Sequence, residues 1–569
     1  MTRHLTLILL AGFTLPFLPA CGKETPQGGS QAEGPSEPLS PQRNVVLISI
    51  DSLRRDRVGV YGHKARYAPE VPVTPTLDAI AQEGVVFEDA WTTTSWTLPS
   101  HMSLMTGLSD RSHGVEIDEF QLDPLRTTLA EAFQARGYRT GGFFSGPYLD
   151  GKYGFARGYD VYESGMLSME QFTDKVQQQN QALIDAGQKP MTERDIIQMR
   201  DRISHWDITS PKIEALAKDF LNQAEEDPFF LFVHFFDAHY DHIPWSMDAG
   251  LAQTFDPDYA GPFDGSNWYF DSRVMDSGPP YKRHIGDRDL NHILANYDAE
   301  IHWVDRHIGQ LVADLKQRGL WENTVIMIVS DHGDEFFEHQ SIGHRSTLFA
   351  EQCRIPMIMR VPGEADQGQR VAALSRIYDV APTLLDYSGG LAHRQLQEAE
   401  GKSLRSLVDG SEQAGRNAFQ RIYSGGHRKS RSLNIRDGWR NSRYSVVRQF
   451  NYDNESSTPE AKAVKVLRRR SNNSPYLIFD READPQELYP LEPNDPRFTE
   501  AVAAFCKAFE EAEREASKLP MSPLEDRLAE AGSDLQTAAL NALGYSSTSD
   551  GGTKSDVLPL LPFPAPCPE

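Results

Sequence analysis

The chain has little cysteine, no excess of positive charge and no long hydrophobic stretch. Only four of its 569 residues are cysteine, which argues against a disulfide framework and against a thiolate zinc site. Acidic residues outnumber basic ones by 81 to 57, so the net charge is −24. A field of this sign repels nucleic acid, and we therefore expect no nucleic-acid partner.

The N-terminus carries an apolar run, residues 5–18, that is shorter than the roughly 20 residues a spanning helix needs. It follows Arg3 and ends before Ala20 and Cys21, the order of an export signal. A cysteine at this point resembles a bacterial lipoprotein signal, which predicts a signal peptide over 1–20 and a lipid on Cys21. That lipid would hold the protein at the membrane of the cell envelope, periplasmic or surface-facing, with the outer membrane favoured. A cleaved signal beside a chance cysteine is the alternative.

The composition divides the rest of the chain. Residues 21–42 and 546–569 are rich in glycine, proline and serine and are predicted to be a flexible tether and a disordered tail. Between them apolar strand patterns alternate with amphipathic helix patterns, which predicts an α/β fold with a doubly wound sheet and helices on both faces. We assign 43–410 to this domain, with a polar helical insertion at 168–226, and 411–545 to a small C-terminal α+β subdomain with closing helices.

Three aspartates follow predicted strands directly. Asp51, Asp237 and Asp331 each come at or just past the end of an apolar run. Ligands of doubly wound sheets bind at the carboxyl ends of the strands, so these carboxylates are expected to meet at one crevice.

A metal site is predicted from Asp51, Asp331 and His332. Two carboxylates and one imidazole suit Zn²⁺ or Mn²⁺ better than Ca²⁺, which prefers oxygen throughout. The threonine hydroxyl of Thr97 is a poor nucleophile unless such a cation lowers its pKa. The pattern therefore predicts Thr97 as a metal ligand and a metal-activated nucleophile. Taken alone, Asp331-His332-Gly333 is equally explained by an aspartate that caps a helix.

The motifs along the chain resemble the sulfatase branch of the alkaline phosphatase superfamily, and that resemblance implies a mixed sheet of the same type. They are Asp51-Ser52-Leu53-Arg54-Arg55-Asp56, Thr97-Leu98-Pro99-Ser100-His101, Gly154-Phe155, Tyr297-Asp298-Ala299-Glu300, Asp331-His332-Gly333, Gly343-His344 and Asp484-Pro485.

The chain departs from that family at the site itself. Sulfatases carry a cysteine or serine that is oxidised to an aldehyde where this chain has Thr97, and an arginine where it has His101. Ser52 replaces a second aspartate, and His332 replaces an asparagine, as in the phosphatases and phosphodiesterases of the superfamily. An aldehyde hydrate can release a bound sulfate without attack on sulfur, and a sulfate on threonine cannot be released in this way. A phosphate on threonine can be hydrolysed by in-line attack on phosphorus. The departures thus favour phosphorus over sulfur.

Further roles are implied by the resemblance. His239 matches a histidine on the leaving-group side and is predicted to be the general acid, while His344 is predicted to contact the transferred group, as is His101. A structural role is the alternative for His239 and His344. Asp237 and His339, together with His239, His242 and His344, are candidates for a second metal.

The sequence therefore predicts a metal-dependent hydrolase of phosphoric or sulfuric esters. Its substrate is expected to be an anionic ester, either a small molecule or one carried by a glycan or lipid. Three alternatives stay open: a sulfuric ester hydrolase proper, a phosphoglycerol- or phosphoethanolamine-type transferase, and a non-catalytic relative that serves as a binding surface. The transferase lacks its usual multi-helix membrane anchor here, and retention of Thr97 with all three metal ligands argues against the binding relative.

Overall fold

The computed structural model describes residues 42–167, 169–192, 207–223, 227–266, 271–276, 282–364, 367–390, 396–413, 415–424, 432–453 and 474–529. The predicted signal peptide, the lipidation site Cys21, nearly all of the tether and the C-terminal tail lie outside these ranges. Within them we find no helix with the length and hydrophobicity that a membrane span requires.

An eight-stranded mixed sheet lies at the centre of the fold, in the order β12-β2-β11-β7-β1-β6-β4-β5. All strands of the described chain, including those outside this sheet, are β1 (Asn44–Ile50), β2 (Val85–Phe87), β3 (Ala90–Trp91), β4 (Arg139–Phe144), β5 (Val161–Ser164), β6 (Phe229–Phe235), β7 (Thr324–Ser330), β8 (Glu335–Phe336), β9 (Ile342–Gly343), β10 (Arg354–Ile355), β11 (Met357–Arg360), β12 (Gln369–Val371), β13 (Ser375–Arg376), β14 (Ala418–Ser424), β15 (Ser432–Arg440), β16 (Tyr444–Asp453) and β17 (Tyr476–Asp480). Strands β5, β4, β6, β1 and β7 run parallel, and β11 is antiparallel to β7 and β2.

Helices cover both faces of this sheet. The helices in the described part of the chain are α1 (Pro75–Gln82), α2 (Thr97–Thr106), α3 (Asp110–His113), α4 (Leu129–Gln134), α5 (Met169–Asp185), α6 (Ser210–Asn222), α7 (Leu251–Phe255), α8 (Asp287–Gln317), α9 (Ala350–Cys353), α10 (Val380–Tyr387), α11 (Arg405–Val408) and α12 (Pro496–Ala516). Alternate residues of β1 enter different cores: Val45 and Leu47 pack with α2, α4 and α10, whereas Val46 and Ile48 pack with α1, α6 and α8. Burial on both faces explains the continuous apolar run of β1, and the predicted doubly wound α/β fold is confirmed.

Several boundaries differ from the sequence prediction for local reasons. The amphipathic pattern of residues 125–136 predicts one helix, yet α4 begins at Leu129, because Thr128 and Glu131 form a capping box. The apolar pattern of residues 354–360 predicts one strand, which divides into β10 and β11 at Pro356, because proline has no N–H to donate. Helix α6 lies within the predicted insertion, yet its Ile213 and Ala217 are buried in the core, so this part of the insertion belongs to the main fold.

The C-terminal part forms a second layer. Strands β14 to β17 make a four-stranded antiparallel sheet, and Trp439 and Ile478 of this sheet pack against Phe505 of α12. Cys353 is a buried free thiol. Cys506 of α12 is disulfide-bonded, whereas its place in the last helix predicted a buried inert thiol.

Candidate active site

The site lies where the central parallel strands end. Ile50, the last residue of β1, pairs with Ser330 at the end of β7 and with Phe235 at the end of β6. Asp51 directly follows β1 and Asp331 directly follows β7, so the register of the two strands brings the two carboxylates side by side. This is the edge of the sheet, at the carboxyl ends of the strands, where ligands are expected to bind.

Thr97 is the first residue of α2, and its hydroxyl faces the two strand ends. Its Oγ1 lies 3.4 Å from Asp51 Oδ2 and 3.4 Å from His332 Nε2. The partial positive charge at the start of a helix favours negative charge on this oxygen. The structure therefore brings the predicted nucleophile and the predicted ligands together.

Helix α2 is fixed in this position by buried polar contacts. Ser100 Oγ donates to the carbonyl of Asp331 at 2.7 Å and lies 2.8 Å from Thr92 Oγ1. Every residue of the helix is buried. The sequence of α2 has no single apolar stripe, so its buried polar side chains need polar partners in the protein. The bond from Ser100 to Asp331 is one of them, and it keeps the start of α2, with Thr97, next to Asp331.

Asp51, Asp331 and His332 form a group that fits a divalent cation. Their ligand atoms all lie within 4.8 Å of one another, and Asp331 Oδ2 is buried without a hydrogen-bond partner. Burial and the neighbouring Asp51 carboxylate raise the pKa of Asp331 well above its usual range. Two like charges this close in a dry site are relieved either by a proton on Asp331 or by a bound cation, and the ligand set suits a cation.

The remaining electrostatics keep Asp51 ionised and His332 neutral. Burial would raise the pKa of Asp51, but the neighbouring His234, His239 and His332 imidazoles outweigh it and hold that pKa well below its usual range. Burial and His344 lower the pKa of His332 to about 4. The Nδ1–H of His332 donates to the Gly333 carbonyl at 3.1 Å, so Nε2 is left with the lone pair that a metal ligand needs.

Ser52 turns its backbone toward the site. Its φ is 57°, a left-handed conformation that is uncommon outside glycine, and its N–H donates to Asp331 Oδ1 at 3.1 Å. The residue at the position of the sulfatases' second aspartate thus holds a carboxylate through its main chain and does not add one.

His101 contacts the backbone of Thr97 from within the protein interior. Its Nδ1 is 3.0 Å from the Thr97 carbonyl, its Nε2 is 2.8 Å from Ser49 Oγ, and the side chain is fully buried. Both ring nitrogens are engaged by the protein, so His101 supports the start of α2 and does not reach the substrate as predicted. Burial and the adjacent His234 lower the pKa of His101 to about 3.

His239 and His344 face each other beside His332. Ring centroids of His344 and His332 are 4.4 Å apart, and those of His239 and His344 are 5.0 Å apart. His344 Nδ1 lies 2.7 Å from Asp334 Oδ1, which orients the ring. Burial lowers the pKa of His239 to about 3, so this imidazole is unprotonated at neutral pH.

Three of the residues predicted for a second metal have protein partners, although His339 also forms a group of potential ligands with Glu335 and Glu351. The Asp237 carboxylate accepts hydrogen bonds from the backbone of Thr209 and Ser210 at the start of α6. His339 contacts Glu351 at 2.7 Å and the carbonyl of Glu487 at 2.7 Å. His242 faces Glu300 at 2.7 Å. Among the described residues, none of these three belongs to the group of potential ligands around His332 and His344, whose third member is Asp334.

Sequence reasoning missed Asp334 and His234. Asp334 ends the Asp-His-Gly-Asp run, and its spacing of ten residues from His344 was the available signal. His234 Nε2 lies 3.4 Å from Asp51 Oδ2. It pairs with Ser49 across β1 and β6, and only the register of these strands could have revealed it.

Comparison with known proteins agrees with this geometry. The family profile described as Sulfatase matches residues 43–390, and that described as N-sulphoglucosamine sulphohydrolase, C-terminal, matches residues 338–515. An arylsulfatase from Clostridium perfringens is 27% identical over 404 residues, which are 64% of this chain and 78% of the relative. The multifunctional alkaline phosphatase superfamily protein PehA of Trinickia caryophylli is 24% identical over 512 residues, covering 82% and 94%.

Solved structures share the fold. The phosphonate monoester hydrolase of Agrobacterium radiobacter superposes with a TM-score of 0.57 at 18% identity, over 84% of this chain and 96% of that one. The profile match spans more than half of the chain, and the site occupies the same strand ends that its motifs predicted. The chain therefore belongs to the sulfatase family of ester hydrolases, within the alkaline phosphatase superfamily.

Proposed function

We propose that the protein hydrolyses phosphoric esters, namely phosphodiesters, phosphomonoesters or phosphonate esters, with Thr97 as the nucleophile. The observation that carries this proposal is the placement of Thr97 Oγ1 at 3.4 Å from both Asp51 and His332, at the first turn of α2. A hydroxyl in this position has acidic oxygens, an imidazole and a helix N-terminus directed at it.

The proposed cofactor is one divalent cation, with Zn²⁺ or Mn²⁺ favoured over Ca²⁺. Asp51, Asp331, His332 and Thr97 would hold it, a set of oxygens with one nitrogen. When bound, it supplies Lewis acidity that lowers the pKa of an attached hydroxyl and polarises an ester oxygen.

The first chemical step belongs to Thr97. Its Oγ1 forms a bond to phosphorus while the bond from phosphorus to the leaving oxygen breaks, and the hydroxyl proton ends on the leaving oxygen through solvent. The start of α2 favours the negative charge that develops on Oγ1, and the contacts of Ser100 and His101 keep that oxygen in line.

The second step restores Thr97. Water attacks phosphorus, the bond between phosphorus and Thr97 Oγ1 breaks, and the proton of the water returns to Thr97 through a neighbouring base. We assign this role to His239, whose lowered pKa of about 3 leaves it unprotonated at neutral pH, although it also makes the ring a weak proton acceptor. The role of general acid for the leaving group, which the family resemblance implies for His239, stays a prediction.

Sulfuric ester hydrolysis is the second candidate. It is favoured by the likeness to an arylsulfatase across 78% of that relative. Against it stands the side chain of Thr97, whose β-carbon carries a methyl group and cannot become an aldehyde. A sulfate transferred to Thr97 would have to be removed by attack on sulfur.

The decisive experiment compares four aryl esters on the purified protein: 4-nitrophenyl sulfate, 4-nitrophenyl phosphate, bis(4-nitrophenyl) phosphate and 4-nitrophenyl phenylphosphonate. We expect at least one phosphorus ester to be hydrolysed with a higher kcat/KM than the sulfate. Chelation should abolish turnover, and Mn²⁺ or Zn²⁺ should restore it. Thr97→Ala should lose at least about a thousandfold in kcat, while Thr97→Ser keeps measurable activity.

Thr106→Ala is the matched control, because Thr106 lies at the other end of α2, where its hydroxyl donates to the Met102 carbonyl and accepts from the Leu108 N–H. It should keep wild-type kcat. Turnover by Thr97→Ala at the level of this control would exclude Thr97 as the nucleophile. Higher kcat/KM on the sulfate would instead support the second candidate.

A further inference from the structure

A cavity of about 250 Å³ lies between the loop that follows β1 and helix α8. The loop lines it with Asp56, Arg57, His63, Lys64 and Arg66, and α8 lines it with Asn291, Leu294, Ala295 and Asp298. The cavity is smaller than the roughly 300–1,000 Å³ of pockets that hold drug-sized molecules, so it fits a small group. None of these lining residues is Thr97 or a predicted metal ligand, and the cavity is therefore distinct from the candidate active site.

Positive charge outnumbers negative charge in this cavity. Three arginine and lysine side chains accompany two carboxylates, Asp56 and Asp298. Both oxygens of Asp56 already accept hydrogen bonds from Arg54, at 2.9 and 2.8 Å, and Arg54 is not part of the lining. A cleft with an excess of one charge sign attracts ions of the other sign, even in a chain whose net charge is −24.

The second carboxylate is shared between two basic side chains. Asp298 Oδ1 lies 2.9 Å from His63 Nε2 and 3.4 Å from Arg57 Nη1. The Nε–H of Arg57 is buried and has no hydrogen-bond partner among the described residues. The guanidinium of Arg57 is therefore only partly paired, and its fork of donors matches two oxygens of a phosphate or sulfate.

Three further donors of the cavity have no protein partner. The side chains of Lys64 and Arg66 are exposed, and neither they nor the Asn291 amide forms a hydrogen bond or ion pair within the described chain. Exposed charges on a flat surface need no partner. Here they surround a recess together with the partly paired Arg57, which distinguishes the cluster from an ordinary charged surface.

We propose that this cavity binds a phosphate or sulfate group through Arg57, Lys64 and Arg66, with the Asn291 amide as a further donor. The inference does not rest on the proposed function, because it concerns residues outside the candidate active site. A free inorganic anion and an anionic lipid headgroup share this chemistry, and the experiment distinguishes the two.

The first measurement titrates the purified protein with inorganic phosphate and with inorganic sulfate by isothermal titration calorimetry. Wild type is compared with Lys64→Met/Arg66→Met, whose exposed positions should leave the melting temperature unchanged. We expect the double variant to raise the Kd of the anion about 5- to 50-fold, because two charged contacts are lost. Binding at the candidate active site contributes equally to both proteins, so the difference reports on this cavity.

Lys175→Met/Lys507→Met is the matched control. These two lysines lie on α5 and α12, are exposed, and form no ion pair within the described chain. The control removes the same two charges and should leave the Kd unchanged. Asn291→Ala removes a donor without changing the net charge, and we expect it to raise the Kd about 3- to 10-fold.

Three results would overturn the inference. They are the absence of anion binding by wild type, the same Kd in wild type and Lys64→Met/Arg66→Met, and an equal rise of Kd in both double variants. The last result would show that the anion responds to the overall charge of the protein and not to a built site. An unchanged Kd in Asn291→Ala would also contradict the site.

Vesicles distinguish the source of the anion. Wild type and both double variants are sedimented with phosphatidylglycerol vesicles and with uncharged phosphatidylcholine vesicles. Binding to the charged vesicles alone, lost in Lys64→Met/Arg66→Met and kept in the control, identifies a lipid-borne phosphate. Binding of the inorganic anion without binding to vesicles identifies a soluble anion. Ester hydrolysis is assayed in parallel, and its absence would count against the proposed function but not against this site.

Discussion

The side chain of His344 is oriented by a buried carboxylate. Asp334 Oδ1 accepts the Nδ1–H at 2.7 Å, and both side chains are almost fully removed from solvent. A histidine whose Nδ1 carries the proton presents its Nε2 lone pair to the site. We therefore expect Asp334 to fix the tautomer of His344.

Asp334→Asn tests this arrangement. The amide can donate to the ring and stabilise the opposite tautomer, so we expect kcat to fall about 10- to 1,000-fold with little change in bound metal or melting temperature. Steady-state kinetics with metal analysis measures the effect. Asp256→Asn is the control, because Asp256 Oδ2 lies 2.8 Å from His292 Nδ1 in a similar carboxylate–histidine pair that includes none of the predicted site residues. Wild-type kcat in Asp334→Asn would contradict the role.

At the scale of elements, helices are joined by carboxylates that cap their neighbours. Asp305 of α8 accepts hydrogen bonds from the backbone N–H groups of Thr76 and Leu77 at 2.8 and 2.9 Å. It satisfies two donors at the start of α1 that have no partner within that helix. The same contact fixes α1 against the face of the sheet that α8 covers.

Asp305 should make stability depend on pH. Burial raises its pKa to about 7 in the folded protein, compared with an ordinary value of 3.8. Since the folded value is the higher one, the stabilisation is complete below pH 3.8 and is lost as the pH rises through 7. Between about pH 5 and pH 8, wild type should therefore lose on the order of 1–3 kcal/mol relative to Asp305→Asn.

Urea unfolding of both proteins at the two pH values measures this difference. Asp314→Asn, on the same helix, is the control because its carboxylate pairs with Arg318 and caps nothing. A constant difference between wild type and Asp305→Asn would show that Asp305 does not take up a proton on folding.

The elements that could be predicted from sequence are those whose pattern is local. Strand β1 and Asp51 were found because an apolar run and the polar residue that ends it lie together in the chain, and the same holds for β7 with Asp331 and His332. The contact of His234 with Asp51 could not be found, because it depends on the register between β1 and β6. The contact of Asp237 with the start of α6 could not be found either, because it is a tertiary contact that spacing does not reveal.

At the scale of the whole molecule, the C-terminal sheet is bound to the main fold by a buried ion pair. Arg440 of β15 contacts Glu487 at 3.0 Å and also donates to the Leu348 carbonyl, while Glu487 accepts from the Ala350 backbone at 3.1 Å. Leu348 and Ala350 follow the loop that carries His344 and Arg345. The C-terminal sheet therefore helps to hold the loop that carries His344 in place.

Arg440→Met should destabilise the protein strongly. Removing one partner leaves Glu487 as an uncompensated buried charge, which costs about 3–5 kcal/mol of unfolding free energy. Arg443→Met is the control, because its pair with Glu500 is exposed on both sides and should contribute less than about 1 kcal/mol. Denaturant titration of both variants gives the comparison, and equal midpoints would refute the role of the buried pair.

The predicted metal ligands lie far apart in the sequence, so the ribosome makes them at different times and the site can form only after the last of them. Thr97 and His332 are 235 positions apart, and β7 lies directly beside β1 in the finished sheet. A nascent chain that has left the ribosome only as far as α8 has made Asp51 and Thr97 but neither Asp331 nor His332. Cation capture must then follow assembly of the sheet centre, and an amino-terminal fragment ending before β7 should remain metal-free.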